Sequence, residues 1–320
     1  MNARRKTLLL AAGLVLIAIA ASFAKRSDVY LLTLTCVYLM ATFGLNLTVG
    51  YAGQMSLGQA AFFGIGAYHA AILLKMGWPI FVVLPIAGVA CFAIGLVLGF
   101  PALRVQHHYL AFATLGFNVL VYLVMRNEEK LTGGTFGISG IPRPSVFGMS
   151  TDGHLAFFYF TFVSLIVLAS LLWWLLRSPW GRAFAALRDN PIRAESLGVN
   201  ITAYTLLAFA IGAACAGIGG VYYASLVEFI EPGPFHFSTS LLMLLAVIVG
   251  GSGRFMGPVV GTIIIILLPE LLRSSSVEWL KFMQKWYLAF FGIAVIALMI
   301  WLPGGILSFG DRFKAKGGAK

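Results

Sequence analysis

Long apolar runs, uncharged except for Glu270 near the end of one, follow one another along most of the chain, separated by short polar stretches. The runs are Thr7–Ala24, Val29–Leu74, Met76–Leu103, Val105–Met125, Gly153–Leu176, Val199–Val227, Pro232–Gly253, Phe255–Leu272 and Trp286–Leu302. A helix crossing a hydrocarbon core of about 30 Å needs about 20 apolar residues. Each run therefore predicts one spanning helix. Val29–Leu74 carries no formal charge and predicts two, broken near its middle at Gly50–Gly58. The pattern predicts an all-α polytopic membrane protein of about ten transmembrane helices, residues 1–320 forming a single transmembrane domain.

Composition strengthens this reading. The chain of 320 residues is 60% hydrophobic and 10% charged, against roughly 25% charged in soluble domains. So few charges cannot cover a soluble surface of this size. The net charge of +11 does not point to nucleic acid, because the Lys and Arg residues are spread between the apolar runs. With the N-terminus in the cytoplasm, 13 basic residues fall inside and nine outside. That is the direction of the positive-inside rule, and it places both termini in the cytoplasm. Arg4, Arg5 and Lys6 ahead of Thr7–Ala24 also fit a signal peptide. A retained first helix is the expectation.

Two loops stand out. Residues 126–153 are polar and rich in Gly and Pro, and fall on the outer face. Residues 177–200 are cytoplasmic and read as one or two short surface helices. Pro191 can open a helix capped by Asp189 or Asn190, and Gly198 suits its stop.

The sequence lacks the signatures of a hydrolytic enzyme. It has no GxxxxGK[ST], no HExxH and no GxSxG, so nucleotide hydrolysis by a P-loop is excluded. His107 and His108 are adjacent and point about 100° apart on a helix, which suits an interfacial pair better than a proton relay or metal site. Cys36, Cys91 and Cys215 lie inside apolar runs without metal-ligand spacing. A secondary carrier usually places ionisable groups within its spans, and here Glu270 is the only acid well inside one.

The break after the second span carries the candidate path chemistry. Irregular backbone at membrane depth is tolerated only when buried in protein or facing a water-filled cavity. Asn46, Gly50, Gln54, Ser56 and Gln59 flank or occupy the break and are candidate path residues. The alternative is that glycines such as Gly50 and Gly66 only let helices pack closely. A second glycine cluster, Gly250–Gly261, hints at an internal repeat of the kind transporters use.

Several segments together resemble the permease subunits of bacterial branched-chain amino acid ABC importers, the LivM-type branch. They are Gly44–Tyr68, Tyr109–Phe117, Leu131–Pro142, and Gly181–Asn200 with the Ala-Gly-rich span to Tyr223. The resemblance runs from about Leu31 to Leu302. It implies an inner-membrane importer of branched-chain or related amino acids, in a family that also carries urea or aromatic acids. It implies a second homologous permease, two ATPase subunits that use ATP and Mg, and a periplasmic solute-binding protein, with no cofactor on this chain. It also implies that the 177–200 loop docks on an ATPase, through Arg182, Ala186, Arg188, Asp189, Arg193, Glu195 and Gly198. Without the resemblance, a helix lying on lipid headgroups explains the same charges. In two respects the chain departs from the family: Val119 and Tyr122 stand where charged residues are common, and His107-His108 replaces a more usual Gly-Asp.

Overall fold

A computed structural model describes residues 18–102, 107–146, 149–150, 153–274, 292 and 304–308. Most of the expected first span, nearly all of Trp286–Leu302, and the basic residues Arg4, Arg5, Lys6, Arg104 and Arg312 to Lys320 lie outside the described residues. The rest is a helical bundle. Its helices are α1 (Arg26–Leu45), α2 (Gln59–Lys75), α3 (Ile80–Ala102), α4 (His107–Asn127), α5 (His154–Arg177), α6 (Pro179–Asp189), α7 (Pro191–Ser196), α8 (Ile201–Val227), α9 (Phe237–Gly250) and α10 (Gly257–Ser274). Among the described residues, five helical stretches are long and apolar enough to cross a membrane: Arg26–Tyr51, Ile80–Phe100, Leu110–Asn127, His154–Arg177 and Ile201–Val227.

α8 is the central post. It packs against α1, α2 and α3, and small residues let the backbones approach. A Cβ on Gly66 of α2 would sit 2.0 Å from the Gly217 carbonyl oxygen of α8. Any side chain there would force the two helices apart. Around this contact lies an aromatic core of Tyr38, Phe63, Tyr223 and Phe235, with ring centroids 5.2–6.4 Å apart where they meet. One polar pair inside the bundle links α8 to α5: the Tyr222 hydroxyl donates to Ser164 Oγ at 2.5 Å.

Two expected spans are shorter than the sequence pattern predicts. Val29–Leu74 does hold two helices, but unequal ones. α1 runs on as a π-helix over Asn46–Tyr51, so the continuous helix has 26 residues and is about 39 Å long. The chain is then irregular from Ala52 to Gly58, and α2 has only 17 residues, about 25 Å. The expected span Pro232–Gly253 yields only the 14 residues of α9, about 21 Å. Its first part is taken by a 3-10 turn at Gly233–Phe235, just after the strand Phe229–Ile230. Pro232 and Pro234 have no N–H with which to extend a helix backwards.

The two short helices start at mid-height. The Gln59 side chain, at the N-terminus of α2, donates to the carbonyls of Ala41 (2.7 Å) and Gly212 (3.2 Å), and Gly212 lies near the middle of α8. The Ala60 N–H donates to Ser240 Oγ of α9 at 2.8 Å. From that meeting point α2 runs toward the end of the bundle holding the 126–153 loop, where Lys75 Nζ donates to the Ser139 carbonyl. α9 runs toward the opposite end, which holds α6 and α7.

Candidate functional site: the break after α1 and the α6–α7 loop

The local sequence of the 177–200 loop folds as its caps dictate. Ser178 Oγ accepts from the Trp180 N–H, with Pro179 in the first turn of α6. Asn190, the second of the two expected caps, accepts from the Arg193 N–H at 3.0 Å and opens α7 at Pro191. α7 stops where Gly198 takes φ +86°, a left-handed conformation that glycine adopts without a Cβ penalty. α6 buries Gly181, Ala183, Phe184 and Leu187, and Phe184 meets Tyr204 of α8 edge to face. Arg182, Asp189, Arg193, Glu195 and Gly198 are exposed, and Ala186 is half-buried. The loop also presents two apolar side chains that the charge pattern did not single out, Ile192 (79% exposed) and Leu197 (82% exposed).

Arg188 behaves differently from its neighbours. Its Nη1 donates to the carbonyl of Gly50, inside the π-helix. The same guanidinium packs on Gly253, and the Arg188 backbone lies against Gly53. Asn46 completes the junction. Its Nδ2 donates to the Arg254 carbonyl at 3.0 Å, and its Oδ1 accepts from the Gly253 N–H at 2.9 Å. A Cβ on Gly50 would lie 2.2 Å from that oxygen and 2.3 Å from the Gly253 nitrogen. The π-helix, the turn after α9 and the last turn of α6 thus meet at one point, through residues about 140 to 200 positions apart in sequence.

The remaining path candidates are buried and hold the break in shape. The Gln54 N–H donates to the Thr48 carbonyl at 2.9 Å, and its side chain turns back to the Ala52 carbonyl. Ser56 Oγ accepts from the Gly58 N–H at 3.4 Å. From Gly53 to Leu57 the side chains alternate. Gln54 and Ser56 point into the protein, while Gly53 and Met55 are exposed. Among the described residues, no hydrogen bond reaches the N–H of Gly53, Met55 or Ser56. The extended segment therefore offers unpaired backbone groups, which only a polar surrounding satisfies.

Three side chains at the start of α2 were not singled out from the sequence. Thr114 of α4 accepts from the Leu57 N–H at 2.9 Å. Asn118 accepts from the Ala61 N–H at 2.9 Å and from Ser240 at 3.1 Å. Together with Ser240 they cap α2 from other helices, a task normally done by a residue next to the helix. The Ala61 contact fixes the Asn118 amide with its oxygen toward the helix end. Its Nδ2 is then a buried donor with no partner among the described residues. The only sequence signal was polar residues one turn apart on an otherwise apolar span. The two places where the family pattern is charged lie nearby on α4. Tyr122 meets the His236 ring edge to face at 5.0 Å. Val119 is 41% exposed and lines an apolar groove with Gly116, Leu120, Leu123 and Val124.

The family described as branched-chain amino acid transport system / permease component matches residues 28–299. Two relatives are the high-affinity branched-chain amino acid transport system permease proteins LivM of Salmonella typhimurium and Escherichia coli. Each is 34% identical, over 92% and 96% of this chain and 73% and 76% of the relative. The autoinducer 2 import system permease protein LsrC of Escherichia coli is 27% identical over 93% of this chain and 86% of its own. No solved structure matches. The chain belongs to the branched-chain amino acid transport system permease family.

Proposed function

We propose that this chain is the membrane-spanning permease subunit of an ATP-driven importer for branched-chain amino acids. The observation that carries the reading is the Arg188 contact. A short loop helix at one end of the bundle reaches directly into the broken helix. That linkage suits a protein whose spans are moved by a separate motor.

In this reading the 177–200 loop is cytoplasmic and docks on an ATPase subunit. Exposed Ile192 and Leu197 supply apolar anchors, since desolvated apolar side chains ringed by polar ones dominate docking energies. Arg182, Asp189, Arg193 and Glu195 set the register, and Ala186 and Gly198 leave room for close approach. Arg188 carries the displacement inward, to Gly50 and the turn after α9. ATP and Mg belong to the partner subunits. The exposed edge at Gly53 and Met55 faces the solute path, beside a second permease. Asn46, Gly50, Gln54, Ser56 and Gln59 hold that edge open. A periplasmic binding protein delivers the solute to the opposite end, both termini are cytoplasmic, and the complete chain has about ten spans. α2 and α9 start side by side at mid-height and run in opposite directions, which supports an inverted repeat, the arrangement that places half-helix ends at a transport site.

The test is reconstitution in liposomes with the cognate ATPases, second permease and binding protein. Leucine uptake is expected to require ATP and to fall at least tenfold in Arg188→Ala while ATP hydrolysis persists. Ion-gradient-driven uptake by the chain alone, or full uptake by Arg188→Ala, overturns the reading.

A further inference from the structure

A second constellation lies at the end of the bundle opposite α6 and α7. α1 and α8 run antiparallel, so the first turn of α1 and the last of α8 lie side by side there. Arg26 is the first residue of α1, and Glu228 is the residue that ends α8. With Ile141, Pro142 and Arg143 they line a cavity of about 260 Å³. That is just below the roughly 300–1,000 Å³ of sites for drug-sized ligands, and suits a small metabolite.

The cavity is a built one. The loop strand Ile138–Ser139 pairs antiparallel with Phe229–Ile230, the segment following α8. The Ile141 N–H donates to the Glu228 carbonyl at 3.1 Å, and Ile141 itself is buried. Glu228 is held at φ +60°, a conformation that few non-glycine residues adopt. Its Oε1 is paired with Arg143 Nε at 2.6 Å. Arg26 Nε donates to His154 Nε2 of α5 at 2.5 Å. That bond needs a lone pair on His154 Nε2, so the imidazole is neutral here.

These bonds leave two opposite functions over. Among the described residues the terminal N–H groups of Arg26 make no hydrogen bond, and the second carboxylate oxygen of Glu228 accepts none. The helix ends reinforce the difference. Arg26 stands at the positive end of α1, and Glu228 at the negative end of α8. A guanidinium fork favours a carboxylate, and a carboxylate oxygen favours an ammonium group. Arg26, Arg143 and Glu228 together carry one excess positive charge, which favours a ligand with an anionic end.

We propose that this cavity is an arrival site for free α-amino acids, with the α-carboxylate on Arg26 and the α-ammonium on Glu228. Arg143 holds the Glu228 side chain in place as a positioning residue. The proposal rests on the importer reading only for its location, on the face where solute arrives. The contacts go to the groups common to all α-amino acids, so the cavity accepts alanine as well as leucine. Selection among side chains lies elsewhere.

The experiment uses the intact permease–ATPase complex in nanodiscs, without binding protein, and measures equilibrium binding of labelled leucine and alanine. Both are expected to bind saturably. Leucinol, which lacks the carboxylate, and 4-methylpentanoate, which lacks the ammonium group, compete at least tenfold more weakly. Arg26→Gln erases the discrimination against leucinol, and Glu228→Gln erases that against 4-methylpentanoate. These comparisons need only the wild-type protein and two substitutions at the cavity rim. Absence of saturable binding by both amino acids overturns the proposal, as does equal competition by the two analogues. So does a loss of binding-protein affinity in Arg26→Gln with no change in free amino-acid binding. Leucine uptake by the full importer is measured in parallel. Its failure counts against the proposed function, whereas alanine binding with the stated selectivity still supports the cavity.

Discussion

Replacing Asn46 by Ala tests whether three segments share one junction. The wild-type amide makes two hydrogen bonds, to the Gly253 N–H and the Arg254 carbonyl, and Asn46 itself is buried. Stranding a buried donor or acceptor costs about 1–3 kcal/mol, and making the bond normally contributes about 1 kcal/mol. Gly253 and Arg254 are half-buried, so water reaches them in part and the lower half of the range applies. The expected loss is about 2–4 kcal/mol for the pair. Asn46→Asp is expected to lose less. It keeps the acceptor for Gly253, gives up the donor to Arg254, and places its charge beside the Arg188 guanidinium. The assay is reversible unfolding of the complex in mild detergent, run on both single variants, on Arg188→Ala, and on Asn46→Ala combined with Arg188→Ala. Independent distant sites add within about 0.3–0.5 kcal/mol, and residues in one network deviate by more. Both side chains hold the same turn, so the double variant is expected to cost at least 0.5 kcal/mol less than the sum. Strict additivity would falsify the shared junction even if each single variant were destabilised.

Gly66→Val is expected to prevent assembly of the bundle, because its Cβ would lie 2.0 Å from the Gly217 oxygen; expression and gel filtration read this out. Gly116→Ala, which meets nothing within 4 Å, should change the melting temperature little and serves as its control. Tyr222→Phe strips the hydroxyl that donates to Ser164 and should cost about 0.5–1.5 kcal/mol without affecting uptake. Gln59→Leu removes two donors whose acceptors are carbonyls inside α1 and α8. Those carbonyls keep their helical partners, so the stability loss should stay near 1–2 kcal/mol while uptake falls further.

Much of this organisation is written locally and is legible in the sequence. Pro179, Asn190, Pro191 and Gly198 specify where the loop helices start and stop, because capping depends on residues within one turn. Apolar run lengths find the full spans for the same reason. The half-length helices α2 and α9 were not legible. Hydropathy measures apolar content: the glycines and polar residues of Gly50–Gly58 mark the break in Val29–Leu74, but nothing local says that the helix after it starts at mid-height. The capping of α2 by Thr114, Asn118 and Ser240 was hidden because its parts lie 57 and 180 positions from their partners. Ile192 and Leu197 carried no signal of their own in a loop read by its charges and caps. A six-residue helix is too short to bury an apolar seam, and the structure leaves both side chains outside.

The π-helix at Asn46–Tyr51 has a consequence for how the junction arose and how it could be lost. A π turn holds one residue more than the α turn it replaces. Removing one residue from this stretch would let the α-helix close normally and would improve the local hydrogen bonding of α1. The chain beyond would keep its phase, because the shorter α turn sweeps about the same rotation as the π turn it replaces. The widened turn, in which the Gly50 carbonyl accepts from Arg188, would be lost. The extra residue thus acts locally, as a widening of one helical turn. A single codon separates a better-formed helix from one that the loop at its end can reach.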